Sequence, residues 1–333
     1  MEREMVLDRL PVDFCHASTL LPLGKELLCC YFGGSREGAA DVGIYLSRRG
    51  PQCWSSPQLL VNGGEANWNP VLCAYGGQLL LFYKEGQEIA QWRTYVLRSQ
   101  DGGHSWSTPQ ELVPGDTSGG RGPVRNKCLV LSDGSLVAGG SVEQGLWTAF
   151  VDRSEDGRTW QQSPPIGIRG LVYEQGQKTA ASTIAVSQQS FYGRGVIQPS
   201  LWESSPGWVH MLLRSSEGFV YRSDSTDGGR SWCDAYATDL PNNNSGLDLV
   251  KGEDGNLYLV CNPVAANWGM RSPLSLFRSR DNGQSWQRLL DLETSPGEFS
   301  YPAIVAVGGE LFISYTWQRK NIAYVHINLI EFK

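Results

Sequence analysis

Eight residues recur three times along this chain: SQDGGHSW at 99–106, STDGGRSW at 225–232 and SRDNGQSW at 279–286. A shorter copy, SEDGRTW, spans 154–160, and SRRGPQCW at 47–54 keeps the Ser-to-Trp spacing alone. Fixed-period self-similarity of this kind marks a repeat architecture. Upstream of each copy runs the same succession: an apolar strand, a glycine turn, a second apolar strand, a variable stretch and a third strand. The segments STLLPLGKELLCCYFGG, VLCAYGGQLLLFYK, CLVLSDGSLVAGGS, PSLWESSPGWVHMLLRS, LDLVKGEDGNLYLVCN and AIVAVGGELFISYTW open six such units, averaging roughly 55 residues each.

Four strands per unit, repeated radially, predict an all-β chain: a six-bladed β-propeller with Asp-box repeats, one domain over residues 1–333. The sixth unit has no box and ends early, so the N-terminal EMVLDRL is expected to supply its missing outer strand. The box itself reads as the turn between strands three and four. Gly supplies positive φ, Asp accepts backbone N–H groups across the turn, and Trp packs between units. Its job is therefore structural.

Composition excludes several classes. Thirty-nine glycines and 19% charged residues suit short strands and turns, not long helices. A net charge of -6 without a basic tract argues against nucleic acid as partner. The eight cysteines show no C-x-x-C pair, and no His-rich tract accompanies them, so no zinc is expected. Cys15, Cys73, Cys128 and Cys261 sit in apolar runs and read as small core residues. No apolar run is long enough to cross a membrane and the first residues lack a signal-peptide core, which predicts a cytoplasmic protein without a membrane partner.

A four-stranded unit sends its connections alternately to two faces. One face receives the strand-one starts, with His16, Asn69, Arg125, Asn126, Gln198, Asp248 and Tyr301. It also receives the strand-two ends, with Arg36, Lys84, Glu143, Arg214, Asn262 and Arg319, and Arg271 before a third strand. The other face carries mostly Gly, Asp, Pro and Ser. Charged and amide groups thus collect at one mouth, the usual place for a ligand. Converging guanidiniums suit a carboxylate, because arginine offers planar, paired donors that stay charged.

Asp boxes together with ordered mouth arginines resemble the sialidase (neuraminidase) superfamily, in particular its sialidase-like BNR-repeat branch. The resemblance covers essentially the whole chain. It implies that Arg214 and Arg271 match the second and third arginines of the carboxylate-binding triad, while CHASTLLPL puts His16 where the first would stand. GSREGAADV supplies Arg36, a further arginine to help hold the substrate carboxylate, and then Asp41, with Glu37 as second choice, for the acid/base position. Tyr301 in FSYPAI matches the nucleophilic tyrosine, and IQPSLWE puts Gln198 where the activating glutamate would be. Gln198 cannot take a proton, so Glu298, Glu37 or Glu174 would have to substitute, and His16 could act as a partial cation or as a base.

The implied function is an exo-acting glycoside hydrolase releasing a terminal acidic, sialic-acid-like sugar, with no metal or organic cofactor. A tyrosine suits that substrate, since a carboxylate nucleophile would be repelled by the sugar's own carboxylate. Asn69, Lys84, Asn126, Glu143, Asn243, Asn244 and Trp268 are the expected contacts to hydroxyls and ring faces. Two alternatives stand beside it: a non-catalytic carbohydrate-binding propeller, and a uronic-acid-directed hydrolase or lyase with His16 as base.

Overall fold

A computed structural model describes residues 1–9, 11–175 and 193–332. The chain is all-β, and its strands fall into six four-stranded units. The first unit pairs Phe14–Leu23, Glu26–Gly34, Gly43–Arg49 and Gln58–Val61, and the second Asn67–Tyr75, Gln78–Glu85, Arg93–Ser99 and Gln110–Glu111. The third pairs Leu129–Val130, Leu136–Val142, Gly145–Ser154 and Gln161–Gln162. The fourth pairs Gly193–Ser205, Trp208–Ser215, Phe219–Ser225 and Tyr236–Pro241, and the fifth Asp248–Lys251, Leu257–Cys261, Leu274–Ser279 and Gln287–Glu293. Units three and four join into one sheet, because Gly145–Trp147 runs parallel to Gly193–Gly195. In the sixth, Phe299–Val307, Glu310–Trp317 and Asn321–Asn328 are completed by Glu2–Met5 from the opposite end of the chain. The N-terminal strand therefore lies slightly earlier than EMVLDRL suggests. Val6 and Leu7 follow it into the core, 1% and 2% exposed, and Leu10 lies outside the described residues.

The boxes form the expected turns. In the 225–232 copy, Asp227 Oδ1 accepts the amides of Arg230 and Ser231 at 3.0 and 2.9 Å. Gly229, at φ +82°, donates its amide to Ser225 Oγ, and Trp232 Nε1 closes on the Gly229 carbonyl. Each such bond is worth on the order of 1 kcal/mol net, and leaving a buried turn amide unpaired would cost more. Trp106 of the second unit packs in the same cluster as Leu28 of the first, so the box tryptophan seals neighbouring sheets together.

Polar links run from each unit to its neighbour near the first strands. Thr19 Oγ1 accepts from Leu72 N, Tyr75 OH donates to the Gly134 carbonyl, and Asn126 Nδ2 donates to the Gln198 and Pro199 carbonyls. Ser200 Oγ donates to Asp248 Oδ1, Asp248 Oδ2 accepts from Ile304 N, and Thr316 Oγ1 accepts from Ala17 N. The last unit thereby contacts the first.

Candidate active site

Four of those first strands carry the same irregularity. Ladder pairing slips between His16 and Thr19, Trp68 and Val71, Ile197 and Ser200, and Ser300 and Ala303. Inside each slip one non-glycine residue has positive φ: Ala17 (51°), Asn69 (43°), Gln198 (54°) and Tyr301 (53°). A bulge re-aims the side chain it displaces, and left-handed backbone at a bulky residue costs about 1–3 kcal/mol. Asn69, Gln198 and Tyr301 all line one recess of about 610 Å³, counting the space open to solvent. Its other walls are Glu37, Trp68, Ile89, Trp92, Glu143, Trp147, Arg214, Trp268, Arg271 and Arg319.

This register explains His16. The position equivalent to Tyr301 is Ala17, so His16 stands one residue earlier and turns beneath the recess, 1% exposed. Its Nδ1 lies 2.9 Å from Thr316 Oγ1, and its ring packs against Tyr301 with centroids 4.3 Å apart. Burial, reinforced by Arg319, Arg271, Arg125 and Arg214, holds its pKa well below the usual histidine value. The imidazole is neutral near pH 7. The direction of that shift favours a neutral ring over the partial cation expected at this position.

The arginines converge. Arg125, Arg271 and Arg214 place their guanidinium carbons 5.1, 5.5 and 5.9 Å from the Tyr301 ring centroid. Arg214 Nη1 donates to Tyr301 Oη at 2.8 Å and to Gln198 Oε1 at 3.2 Å, while Nε donates to Asn244 Oδ1 at 2.7 Å. Arg271 Nη1 donates to Glu298 Oε1 at 2.9 Å, and Arg319 Nε reaches the same oxygen at 2.7 Å. Arg319 Nη1 also pairs with Glu37. Burial pulls Arg125 down to about 10, partly offset by Asp248, so it too stays charged at neutral pH. Among the described residues, neither Arg125 nor Arg214 has a carboxylate within ion-pair distance, and each is 3% exposed.

The remaining expected residues divide. Glu143 accepts from Ser141 Oγ at 2.9 Å and Gln198 Nε2 at 3.2 Å, forming a chain Glu143–Gln198–Arg214–Tyr301. Asn243 Nδ2 holds the Met270 carbonyl at 2.6 Å and so fixes the loop carrying Trp268 and Arg271. Arg36 and Asp41 are exposed and outside the recess, and Asp41 accepts from the Ser35 amide and hydroxyl. Glu174 is likewise exposed. Asn126 is spent on the neighbouring backbone. Lys84, fully buried, donates to Thr94 Oγ1 and to the Gly120 and Arg121 carbonyls. Burial lowers its pKa to about 7, and it ties a loop down beside the second sheet without reaching the recess.

Sequence reading put Arg125 and Arg319 at the mouth without giving either a role, and it passed over Trp68, Trp92 and Trp147. The signal for the tryptophans was present. Five of the 12 tryptophans end boxes (Trp54, Trp106, Trp160, Trp232, Trp286), and of the seven others four line the recess. Trp68 and Trp92 pack at a tilt with centroids 5.2 Å apart, and the Arg214 guanidinium carbon lies 5.6 Å from the Trp268 ring centroid, so the recess is lined by aromatic as well as cationic groups. Among the described residues no cluster of His, Cys, Asp and Glu has the arrangement to hold a metal ion.

Comparison with known proteins agrees with this architecture. Residues 25–313 match the BNR repeat-like domain. The Hadza microbial sialidase Hz136 superposes with a TM-score of 0.74 at 17% identity, over 96% of this chain and 66% of that one. A Dyadobacter fermentans protein of unknown function gives 0.76 at 14% identity, over 98% and 97%. The NanB sialidase of Streptococcus pneumoniae gives 0.72 at 11% identity, over 96% and 69%. This chain thus spans about two thirds of each of those two sialidases. At such identities the likeness speaks for the fold alone. With the domain match covering most of its length, the chain belongs to the BNR repeat-like family and is a sialidase-like BNR-repeat protein.

Proposed function

We propose that the six units form a single six-bladed propeller whose recess binds a terminal carboxylated sugar and hydrolyses its glycosidic bond. One observation carries this reading. Two buried guanidiniums, Arg125 and Arg214, stand beside one tyrosine with no carboxylate of their own among the described residues. A buried unpaired charge costs several kcal/mol, and an anionic ligand relieves that cost. Arg214 and Arg271 would grip the carboxylate, with Arg319 in place of the missing first arginine. The tryptophan wall would take the sugar's apolar faces.

Tyr301 Oη would then bond to the anomeric carbon as the bond to the leaving oxygen breaks, its proton passing to solvent and Arg214 stabilising the negative charge the oxygen carries once that proton has left. The leaving oxygen needs a proton. Glu37 is committed to Arg319, whereas Glu143 is the recess-lining carboxylate outside the ion pairs among the described residues. Glu143 is therefore the preferred donor, and Asp41 shapes the loop that carries Glu37. Water would release the sugar from the tyrosine in a second displacement.

A specific feature supports a second reading, a sugar-binding module without turnover. Gln198 is an amide hydrogen-bonded between Glu143 and Arg214, so Tyr301 Oη meets a donor where activation calls for a proton acceptor. The uronic-acid reading with His16 as base is weakened by the burial of that ring. A fluorogenic panel of acidic glycosides, run on wild type, Tyr301→Phe, Glu143→Gln and His16→Ala, separates the three. Turnover lost in Tyr301→Phe but kept in His16→Ala supports the hydrolase. Sugar binding without turnover in wild type replaces it with the module, and turnover lost only in His16→Ala replaces it with the uronic-acid route.

A further inference from the structure

The fourth and fifth units break the repeat pattern at matching places, on the side of the sheets away from the recess. In the first and second units an arginine ties one unit to the next by donating to the fourth residue of the next box: Arg48 to the Gly102 carbonyl and Arg98 to that of Gly157. In the fourth unit the tie comes from Arg222, to the Asn282 carbonyl. The residue before the box serine is arginine in the second, third and fifth units (Arg98, Arg153, Arg278) but Asp224 in the fourth. The fourth box residue is Gly102, Gly157 and Gly228 in three copies but Asn282 in the fifth, held at φ +57° where glycine would be cheaper. Local rules broken together call for a local reason.

The reason is a relay of side chains. Asp224 Oδ1 lies 2.5 Å from His210 Nδ1, and His210 Nε2 lies 2.7 Å from Ser204 Oγ. Asp224 also accepts from Arg222 Nε at 2.9 Å and Tyr236 Oη at 2.6 Å. Burial raises its pKa, but these three donors outweigh burial and hold it at about 2. An ionised Asp224 fixes the His210 proton on Nδ1, which leaves Nε2 free to accept from the serine. The imidazole stacks on Trp202 at 4.9 Å, and Asn282 braces both rings, accepting from Trp202 Nε1 at 2.7 Å with its amide 3.4 Å from His210 Nε2. Ser204 falls where the ladder slips between Glu203 and Ser205, half-buried beside Trp208, which is 52% exposed. Lys251 Nζ sits 3.1 Å from the Ser204 carbonyl.

We infer that Ser204, His210 and Asp224 form a second site, an acyl-transfer centre for small carboxylic esters, independent of the recess. Ser204 is six residues beyond Gln198 on the same strand, roughly 20 Å away. Ser204 Oγ bonds to the ester carbonyl carbon while its proton passes to His210 Nε2. The bond to the leaving alcohol breaks as that proton is handed to the alcohol oxygen. Water, losing a proton to the same nitrogen, then splits the acyl-serine into carboxylic acid and free serine. Asn282 Nδ2, 3.4 Å from His210 Nε2, would donate to the developing oxyanion, and the exposed Trp208 would offer the acyl group an apolar seat.

A fluorophosphonate probe on the full chain tests this directly. The expected result is one adduct on the peptide containing Ser204, absent in Ser204→Ala and His210→Gln and retained in Tyr301→Phe. Hydrolysis of p-nitrophenyl acetate should fall at least tenfold in Ser204→Ala. Asp224, a positioning residue, should on change to asparagine move the alkaline-rising limb of the pH–rate profile as well as the rate. No adduct on the wild type, an adduct that survives Ser204→Ala, or unchanged ester hydrolysis in that variant overturns the inference.

Discussion

Whether the ring of His16, packed against Tyr301, is an imidazolium or a neutral imidazole can be read from stability. Its folded pKa is held well below 6.5 by burial and by four arginines. In the unfolded chain it regains a value near 6.5. Below that value the unfolded state binds a proton that the folded state refuses, so stability is full above pH 6.5 and declines as the pH falls. At pH 5.5 the unfolded histidine is about 90% protonated, and the linkage cost is about 1.4 kcal/mol. Asparagine at this position can keep a hydrogen bond near Thr316 Oγ1 without titrating. Urea midpoints at pH 7.0 and 5.5 should therefore show wild type losing up to about 1.3 kcal/mol more than His16→Asn. The double difference cancels His104, His210 and His326. Lys84, whose folded pKa is about 7, is present in both proteins and cancels in the same way. Equal losses in the two proteins would mean that His16 is charged when folded. Ligand affinity would then strengthen as the pH fell through 6.5, whereas a neutral His16 leaves it flat from 7.5 to 5.5.

Arg214→Met should lower affinity for a carboxylated sugar by about two orders of magnitude, as loss of one partner of a buried charged contact does, with the fold retained by circular dichroism; titration calorimetry measures it, and unchanged affinity removes Arg214 from the grip. Leu7→Ala should cost about 2–5 kcal/mol in a urea titration although it lies far along the chain from the sheet it seals. Lys84→Met should leave ligand affinity unchanged. Lys84 has a folded pKa near 7 and a higher unfolded value, so the unfolded chain binds more protons above pH 7 and wild-type stability rises with pH there. The methionine variant should lose that rise, as melting curves at pH 7 and 9 would show.

Much of this protein is local and so could be read directly from residue order. Strand–turn–strand runs, box turns and the unfinished sixth unit are short-range patterns of apolar alternation and glycine placement, and the N-terminal strand followed because one unit lacked a partner. The convergence of Arg214 and Arg271 could be anticipated from repeat phase, since equivalent positions in radially repeated units share a face. One-residue register could not. Nothing in CHASTLLPL shows that the ladder slips after His16, so that Ala17 takes the place equivalent to Tyr301 and the histidine turns inward. Nor does order reveal which charged groups satisfy one another: Lys84 disappears into backbone carbonyls, Asp41 into a serine turn, and Glu298 is shared between Arg271 and Arg319. Burial and ion pairing are properties of residues brought together from distant units, and a charge set free by that arrangement, as on Arg125 and Arg214, exists only once the chain has folded.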